Sequence, residues 1–456
     1  MSKNKTKKVK YQKSLAMVNS HSAGLDLHKE TIWSCHLDDK LDAVINTFGT
    51  CTADVKALGK SLLKANVESV AMESTGVYWI PVYNILQSMG LKPVLINARE
   101  IKSVAGRPKT DKQDCMWICR LHSYGLLKES FVPDINVSAL KNLCDCRDKI
   151  ISDCSRTIQR IRKTLATMNC RLDKAVSDVM GVSGCKVIAA ILIGEQNPQT
   201  LTDMMEDTLK MKKVEIVKEL DGDFREVLII VLKQHYELYQ TFQNKIKELN
   251  VEIVRLLEER FPKKADIKDL PNKKKGYTEK QLGFNKDLRP ILFEIFGTDL
   301  TQLPGIGALT VLYFLGVIGN DVSAWKTEKR FTSWLGLAPN LAVSANTKKK
   351  GKTKVVNNLL TKNLKNGAMA TQRTDSYLGS QYRKFQARRG GAIAKTAIAR
   401  KMAVILYNAV KTGTVIEKYD AEKYELKILQ RKERKFLKDA SILGYDVTKL
   451  KELKVI

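Results

Sequence analysis

Two long segments with heptad spacing constrain the fold of this chain more than any other feature. Residues spaced alternately four and three apart run from Leu140 to Leu172, and the same spacing returns from Leu228 to Leu256. This spacing places each set along one face of an α-helix, as in a coiled coil. We therefore expect two long helices in the middle of the chain, and the spacing allows them to pair with each other or across a dimer.

The segment before these helices alternates strand-like and helix-like stretches. Between residues 22 and 110 the pattern predicts three strands, a helix, a strand, a second helix and a strand, with Thr52 as the N-cap of the first helix. A further helix is expected in DKQDCMWICRLHSYGLL, which follows directly. This order is typical of an α/β domain.

Shifts in composition divide the chain into five predicted regions. A basic arm covers residues 1–21, the α/β domain covers 22–130, and a helical region with a charged linker covers 131–286. A second compact domain, mostly helical, is expected at 287–411, followed by a charged helical tail at 412–456. The fold class predicted from these regions is α/β plus α.

Charge indicates the class of partner. The 456 residues carry a formal net charge of +29, and residues 341–400 hold fourteen Lys and Arg against a single acid. The first thirteen residues add six lysines. A surplus of this size indicates a polyanion, most often a nucleic acid.

Composition also excludes several classes of protein. A hydrophobic content of 44% is too high for a disordered chain. The longest apolar stretch, residues 309–318, is too short to span a membrane. The nine cysteines are an odd number with no paired framework, and no secretory signal follows the basic start, so we expect a reducing, cytoplasmic environment.

Four acids are candidates for binding metal. Asp26 interrupts an apolar strand, Glu73 follows another, and Asp111 and Asp114 share one face of a helix at a spacing of three. Four such carboxylates can bind two Mg²⁺ ions and support phosphodiester chemistry. Each acid taken alone is equally typical of a helix start or a strand end. His28 is expected to be a turn or surface histidine near these acids.

The C-terminal region offers a glycine turn and a serine beside a lysine run. The sequence LPGIG at 303–307 is typical both of a turn whose N–H groups approach a phosphate and of a plain tight turn. Ser344 precedes the lysines and, by itself, is expected in a surface loop. Tyr382 and Phe385 either stack on bases or face the core. The residues predicted to contact nucleic acid are Lys348, Lys349, Lys350, Lys352, Lys354, Arg383, Lys384, Arg388 and Arg389, with Gly305 and Gly307 of the turn.

Six motifs in order resemble those of one family. GLDLHKE, MESTGVYW, GRPKTDKQDC, LPGIG, FTSWLGLAPN and SANTKKKGKTK together resemble the transposases of IS-one-ten type insertion sequences, which are bridge-RNA-guided recombinases related to the Piv DNA invertases. The resemblance covers residues 20–130 and 290–410. It implies a RuvC-like, RNase H-type domain with a DEDD tetrad, and a C-terminal transposase domain with a catalytic serine.

The resemblance assigns roles by motif position. It implies that Asp26, Glu73, Asp111 and Asp114 hold Mg²⁺, two ions per active site, and that Ser344 forms a covalent phosphoserine link with DNA. Many members carry two glycines, or Ala-Gly, after this serine, where this chain has Ala-Asn.

The resemblance also implies partners. These are double-stranded target and donor DNA, a structured non-coding guide RNA, and further copies of the chain in a dimer or tetramer assembled through the coiled-coil helices. The implied setting is the bacterial or archaeal cytoplasm, at the nucleoid during the reaction.

Two other functions fit the residues. One is a RuvC-type junction nuclease that uses the tetrad and water, in which Ser344 has no role. The other is a non-catalytic nucleic-acid-binding protein whose acids are structural. Ser333 is a weaker candidate for the nucleophile because it lies in the apolar FTSWLGL segment.

Overall fold

The computed structural model describes residues 16–74, 76–97, 110–206, 211–272, 283–339, 351 and 353–415, the backbone of 342–344 and 347–349, and single positions between 426 and 445. The chain forms two compact units, Met1–Val132 and Pro133–Ile456. Three parts of the chain lie outside the described residues: residues 1–15 of the predicted basic arm, residues 98–109 with the GRPK part of the motif GRPKTDKQDC, and most of the charged tail.

The N-terminal unit contains the predicted alternation of strands and helices. Its elements are β1 Ser22–Leu27, β2 Thr31–Leu37, β3 Ala43–Gly49, α1 Thr52–Lys64, β4 Ser69–Glu73, α2 Trp79–Ser88, β5 Lys92–Ile96 and α3 Asp111–Ser123. The order predicted from the sequence is confirmed. The cap of α1 was wrong by one residue, because Cys51 is the N-cap and Thr52 is already helical.

A five-stranded mixed sheet forms the centre of this unit. Its strand order is β3-β2-β1-β4-β5, with antiparallel pairing from β3 to β1 and parallel pairing from β1 to β5. Every residue of β1 is buried, as expected for a central strand covered on both faces. The parallel pairs require crossover connections, which α1 and α2 supply. This architecture is consistent with the expected RuvC-like domain.

The second unit is mostly helical. Its helices are α4 Ile135–Thr167, α5 Leu172–Ala175, α6 Val182–Leu192, α7 Pro198–Asp203, α8 Lys213–Glu219, α9 Glu226–Arg260, α10 Leu288–Phe296, α11 Ala308–Ile318, α12 Glu328–Trp334, α13 Leu359–Ala370, α14 Tyr377–Arg389 and α15 Gly391–Thr412. A short hairpin of β6 Ala342–Ser344 and β7 Thr347–Lys349 lies between α12 and α13.

The two heptad segments form α4 and α9, which pack along each other within the chain. Near the middle of the pair, the buried Arg147 donates from Nε to Oδ1 of Asn250 at 2.6 Å. The heptad faces are thus used inside one chain, which selects one of the two pairings that the spacing allowed. The first segment was predicted too long, since α4 ends at Thr167 and Leu172 begins the next helix.

Residues 161–206 and 211–232 build a small helical cap at one end of this helix pair. Its core combines Ile161 and Leu165 of α4, Leu232 of α9 and buried residues of α5 to α8, among them Ile188 and Leu201. Residues 173–227 supported no interpretation from the sequence alone. Among those described, the cap buries apolar side chains such as Val187 and Ile216, whereas Ile193 and Val214 stay exposed.

The apolar helix α11 lies at the centre of the C-terminal part of this unit. Ten of its eleven residues are buried, and Phe314 contacts the rings of Phe296 and Phe331. Gly316 lies against Leu140 and the backbone of Lys141, so α11 packs on the first turns of α4. Within the described part of the chain, no helix has both the length and the hydropathy to cross a bilayer.

Candidate active site

Three elements bring the four candidate acids together. Asp26 lies on β1, and Glu73 ends β4, which pairs in parallel with β1 in a register that joins Leu25 to Met72. Asp111 and Asp114 lie in the first turn of α3, whose start Thr110 caps by accepting from the N–H of Gln113. The register places Asp26 and Glu73 side by side on neighbouring strands, and α3 packs on β1.

Gly24 permits this close approach of helix and strand. A Cβ at this position would lie 2.2 Å from the backbone nitrogen of Cys119 and 2.6 Å from the carbonyl oxygen of Cys115. Only glycine therefore lets α3 lie this near β1. Since Gly24 and Asp26 are two residues apart, the same strand provides both the contact and the carboxylate.

The four carboxylates of the cluster lie close enough to repel one another, and this affects the pKa of Asp26. Burial raises the pKa of the Asp26 carboxyl above its ordinary value, and attraction to His28 opposes this rise. The charges of Asp114, Asp111 and Glu73 then raise the same pKa further, so all three act on Asp26 at short range. A carboxylate that is both buried and surrounded by acids is stabilised by a bound cation.

His28 lies in the connection between β1 and β2 with an exposed side chain, as predicted, and it also belongs to this cluster. Its Nε2 lies 3.3 Å from Oδ2 of Asp26 and 3.3 Å from Oδ1 of Asp111. The signal in the sequence was the Asp-x-His spacing, which puts His28 directly after the strand that carries Asp26. The His28 N–H donates to the carbonyl of Thr31, which continues the pairing of β1 with β2 beyond Leu27.

The donor set fits a divalent cation. One oxygen each of Asp26 and Asp111 and one ring nitrogen of His28 lie within 4.8 Å of one another. Carboxylate oxygens are the ligands that Mg²⁺ and Mn²⁺ prefer. Asp114 and Glu73 act electrostatically on the same carboxylate and are the remaining candidate ligands.

Ser344 lies on a hairpin rather than in the expected loop. It is the last residue of β6, and its backbone pairs with Thr347, the first residue of β7. Residues 345–346, which connect the strands, are outside the described residues. Ser333 lies on the short helix α12.

The predicted nucleic-acid contacts divide between this hairpin and α14. Lys348 and Lys349 belong to β7, Lys354 is exposed after it, and Lys350 and Lys352 lie outside the described residues. On α14, Arg388 and Arg389 are exposed in the last turn and Lys384 is half-buried. Arg383 is exposed but donates to the carbonyls of Gln372 and Thr374, so part of its guanidinium holds the preceding turn.

The glycine turn has a packing role. Gly305 adopts a φ of +78°, and a Cβ there would lie 2.5 Å from the carbonyl oxygen of Gly367 on α13. Both features require glycine without reference to a phosphate. Gly307 is the N-cap of α11.

The two aromatic candidates on α14 have different surroundings. Tyr382 is buried in the core, which selects core packing over base stacking for this residue. Phe385 is half-buried and lines a groove of about 1010 Å³ between α14, α15 and the base of the hairpin, together with Pro339, Thr353 and Val404.

The nine cysteines are all free thiols within the described residues. Cys115 and Cys119 of α3 pack against Cys35 of β2. A hydrogen bond with Cys115 lowers the pKa of Cys35, but a hydrogen bond with Cys119 together with burial outweighs it and raises that pKa to about 12. Cys144 and Cys154 are buried on α4, as their heptad positions predicted.

Two family models match the sequence. One, described as a transposase of the DEDD IS110 type, matches residues 23–170 and contains all four candidate acids. The other, described as Transposase IS116/IS110/IS902 family, matches residues 297–383 and contains the LPGIG turn and Ser344. Together the matches span a little over half of the chain, and no curated protein is significantly similar to it. The chain is therefore a DNA transposase that belongs to the IS110 (IS-one-ten) family.

Proposed function

We propose that this transposase cuts and rejoins DNA with a Mg²⁺-binding DEDD tetrad and a serine nucleophile. Asp26, Glu73, Asp111 and Asp114 are the proposed ligands, and Ser344 is the proposed nucleophile. The observation that carries the proposal is the convergence of the other three acids on the buried carboxylate of Asp26. Mg²⁺ bound there, as two ions per site, would supply Lewis-acid polarisation of a phosphoryl oxygen.

The proposed covalent step exchanges one phosphoester for another. The Ser344 oxygen bonds to phosphorus while the bond from phosphorus to a deoxyribose oxygen breaks. The hydroxyl proton passes to a base, and the released deoxyribose oxygen takes up a proton. Because one ester replaces another, the link stores the bond energy that later strand joining requires.

The position of Ser344 in the chain supports its role. A hairpin end presents backbone to solvent more readily than a helix interior does, and β7 carries two lysines, Lys348 and Lys349, four and five residues after Ser344. Lysines near a reacting phosphate neutralise its charge and position the strand.

The proposed partners are target and donor DNA, a structured guide RNA and further copies of the chain. The net charge of +29 is in keeping with binding two kinds of nucleic acid at once. One side of α9 exposes the apolar side chains of Val227, Ile230 and Val231, which the pairing with α4 leaves uncovered. This side of the helix is the surface we propose for contact between copies.

The covalent adduct tests the chemistry directly. Wild-type protein with element-end DNA, guide RNA and Mg²⁺ should yield a protein–DNA adduct that survives denaturing electrophoresis. Ser344→Ala should abolish the adduct and recombination, whereas the matched variant Ser333→Ala should retain both. Asp26→Asn should also abolish the adduct while preserving the thermal unfolding transition.

The other outcomes identify other functions. If the Ser344→Ala variant cleaves DNA at the wild-type rate and forms no adduct, the reaction is that of a junction nuclease, in which water attacks the phosphate. If neither the wild-type protein nor any variant cleaves any DNA substrate in the presence of Mg²⁺, the chain is a nucleic-acid-binding protein without catalytic activity. If DNA strand exchange proceeds equally well without the RNA, the proposed RNA guidance is refuted, but the proposed cleavage chemistry is not.

A further inference from the structure

We propose that the imidazole of His28 is a nitrogen ligand of the divalent cation at this site and biases the site toward Mn²⁺. This inference rests on the proposed metal-binding role of the acid cluster. It adds a ligand that the tetrad does not include and a metal preference that carboxylates alone would not give.

The spacing of the three atoms is that of ligands around one ion. In an octahedral complex with bonds of about 2.1 Å, neighbouring ligand atoms lie roughly 3.0 Å apart. The His28 Nε2 lies 3.3 Å from one oxygen of Asp26 and 3.3 Å from one oxygen of Asp111. These two distances exceed the octahedral ligand–ligand distance by a few tenths of an ångström. Small side-chain rotations are therefore sufficient to bring the three atoms to ligand positions around one ion.

The backbone places the imidazole next to Asp26. His28 is the first residue after β1, and its N–H donates to the carbonyl of Thr31 at 2.9 Å, which fixes the backbone at this position. Its side chain is 44% exposed, so the ring can rotate toward a bound ion without meeting packed neighbours. Asp111 comes from a different element, α3, and the ring therefore meets carboxylates from both sides of the cluster.

The chemistry of the donors determines the preference. Mg²⁺ binds oxygen almost exclusively and dehydrates reluctantly. Imidazole suits the transition metals, and Mn²⁺ accepts both oxygen and nitrogen ligands. A site with two or more carboxylates and one imidazole therefore gains more affinity for Mn²⁺ than for Mg²⁺ from its nitrogen.

The alternative role of His28 is that of a cation. A protonated imidazole between two carboxylates would neutralise them and would compete with any metal ion for the same place. The two roles give opposite effects on metal affinity when the ring is removed, which makes them separable by experiment.

The experiment uses the full chain with Mn²⁺ or Mg²⁺ alone as the probe. Mn²⁺ binding is measured from the electron paramagnetic resonance signal of the free ion, and Mg²⁺ binding by competition with Mn²⁺. Electron spin-echo modulation by ¹⁴N reports directly on a coordinated imidazole. The variant is His28→Ala. The matched control is His21→Ala, whose exposed side chain precedes β1 and whose backbone makes the contacts that hold Glu68 and Ser69.

The expected result is selective for the metal and for the residue. His28→Ala should weaken Mn²⁺ binding about tenfold or more, change Mg²⁺ binding by much less, and remove the ¹⁴N modulation. His21→Ala should leave all three measurements at their wild-type values.

Two results would overturn the proposal and keep the metal site. One is wild-type protein that binds Mn²⁺ without ¹⁴N modulation, and the other is a His28→Ala variant that binds both metals more tightly, as removal of a competing cation predicts. Wild-type protein that binds neither metal would refute the proposed metal site itself, and the His28 proposal with it.

Discussion

The contact at Gly24 offers a sharp test of how the fold builds the site. The change is Gly24→Ala, which adds one methyl group between β1 and α3. The nearest atoms are backbone atoms of Cys119 and Cys115, at 2.2 and 2.6 Å from the new Cβ. Backbone atoms in a helix cannot rotate away as a flexible side chain can, so α3 itself has to move.

The distances set the size of the effect. Non-bonded atoms pack at about 3.5 Å or more, so the helix must retreat by roughly 1 Å. Overpacking of this kind costs about 1–3 kcal/mol. The displacement also carries Asp111 and Asp114 away from Asp26, and because metal–ligand distances tolerate only about 0.2 Å of error, metal affinity should fall as well.

Hydrogen exchange measured by mass spectrometry is the suitable assay because the chain has two compact units and one global transition would mix them. Amides of β1 and α3 should exchange about 5- to 150-fold faster, since each 1.4 kcal/mol corresponds to a factor of about ten. Mn²⁺ binding by the same protein should weaken in parallel.

The matched control is Gly59→Ala in α1 of the same unit. A Cβ there would meet the Met89 Sδ at 2.6 Å, the mobile end of a thioether side chain. Alanine is also favoured over glycine inside a helix by about 1 kcal/mol. This variant should stay close to wild type in both measurements. If Gly24→Ala matches it in exchange and in metal affinity, the packing argument is wrong.

Two further predictions concern buried polar pairs of the second unit. Burial alone would raise the pKa of Asp299, but hydrogen bonds, led by that from the buried Arg289, hold it below its ordinary value, so its stabilising contribution is present at neutral pH and is lost as the pH falls below about 4. Asp299→Asn should lower the free energy of opening of the second unit, measured by hydrogen exchange, by about 3 kcal/mol at pH 7. The difference from wild type should shrink below about pH 4; a constant difference would exclude the ion pair as the cause. Asn250→Leu removes the acceptor used by the buried Arg147 and should cost about 1–3 kcal/mol by the same measurement. Asn250→Asp, which keeps an acceptor oxygen, should restore most of this loss, and equal stability of the two variants would contradict the hydrogen-bond argument.

Local periodicity was sufficient to predict the elements of the N-terminal unit. Each strand there is a short apolar run and each helix has an amphipathic spacing, so neighbouring residues in sequence carry the information. The heptad spacing likewise predicted α4 and α9. It could not choose the partner, because the same face suits a helix of the same chain or of another copy.

The misses have a common physical cause. The spacing continues from Met168 to Leu172, but the chain turns between them with Asn169 at a φ of +52°, a conformation that asparagine tolerates without a glycine or proline signal. Tyr382 was ambiguous because a helix position has no direction until its neighbours are known. Both depend on tertiary contacts.

In the candidate site, too, local sequence predicted some features and others depend on tertiary contacts. Asp26 and Glu73 are far apart in sequence and become neighbours only through the parallel register of β1 and β4. Their strand and helix positions marked the four acids as candidates before the sheet was known, and the family motifs implied their roles. His28 lies in the GLDLHKE motif without an assigned role, and its place beside Asp26 emerged from the connection that follows β1.

The helix pair of α4 and α9 also fixes the distance between two parts of the second unit. Leu140 lies where α11 packs on α4, and Ile161 lies in the core of the cap. At 1.5 Å per residue these two points are about 30 Å apart along a rigid helix, the length of roughly nine base pairs of duplex. Arg156, Arg160 and Arg162 are exposed along or beside this interval. A nucleic acid that contacts both the C-terminal core and the cap must therefore span close to one helical turn, and changes in the length of α4 and α9 would alter that distance in steps of single residues.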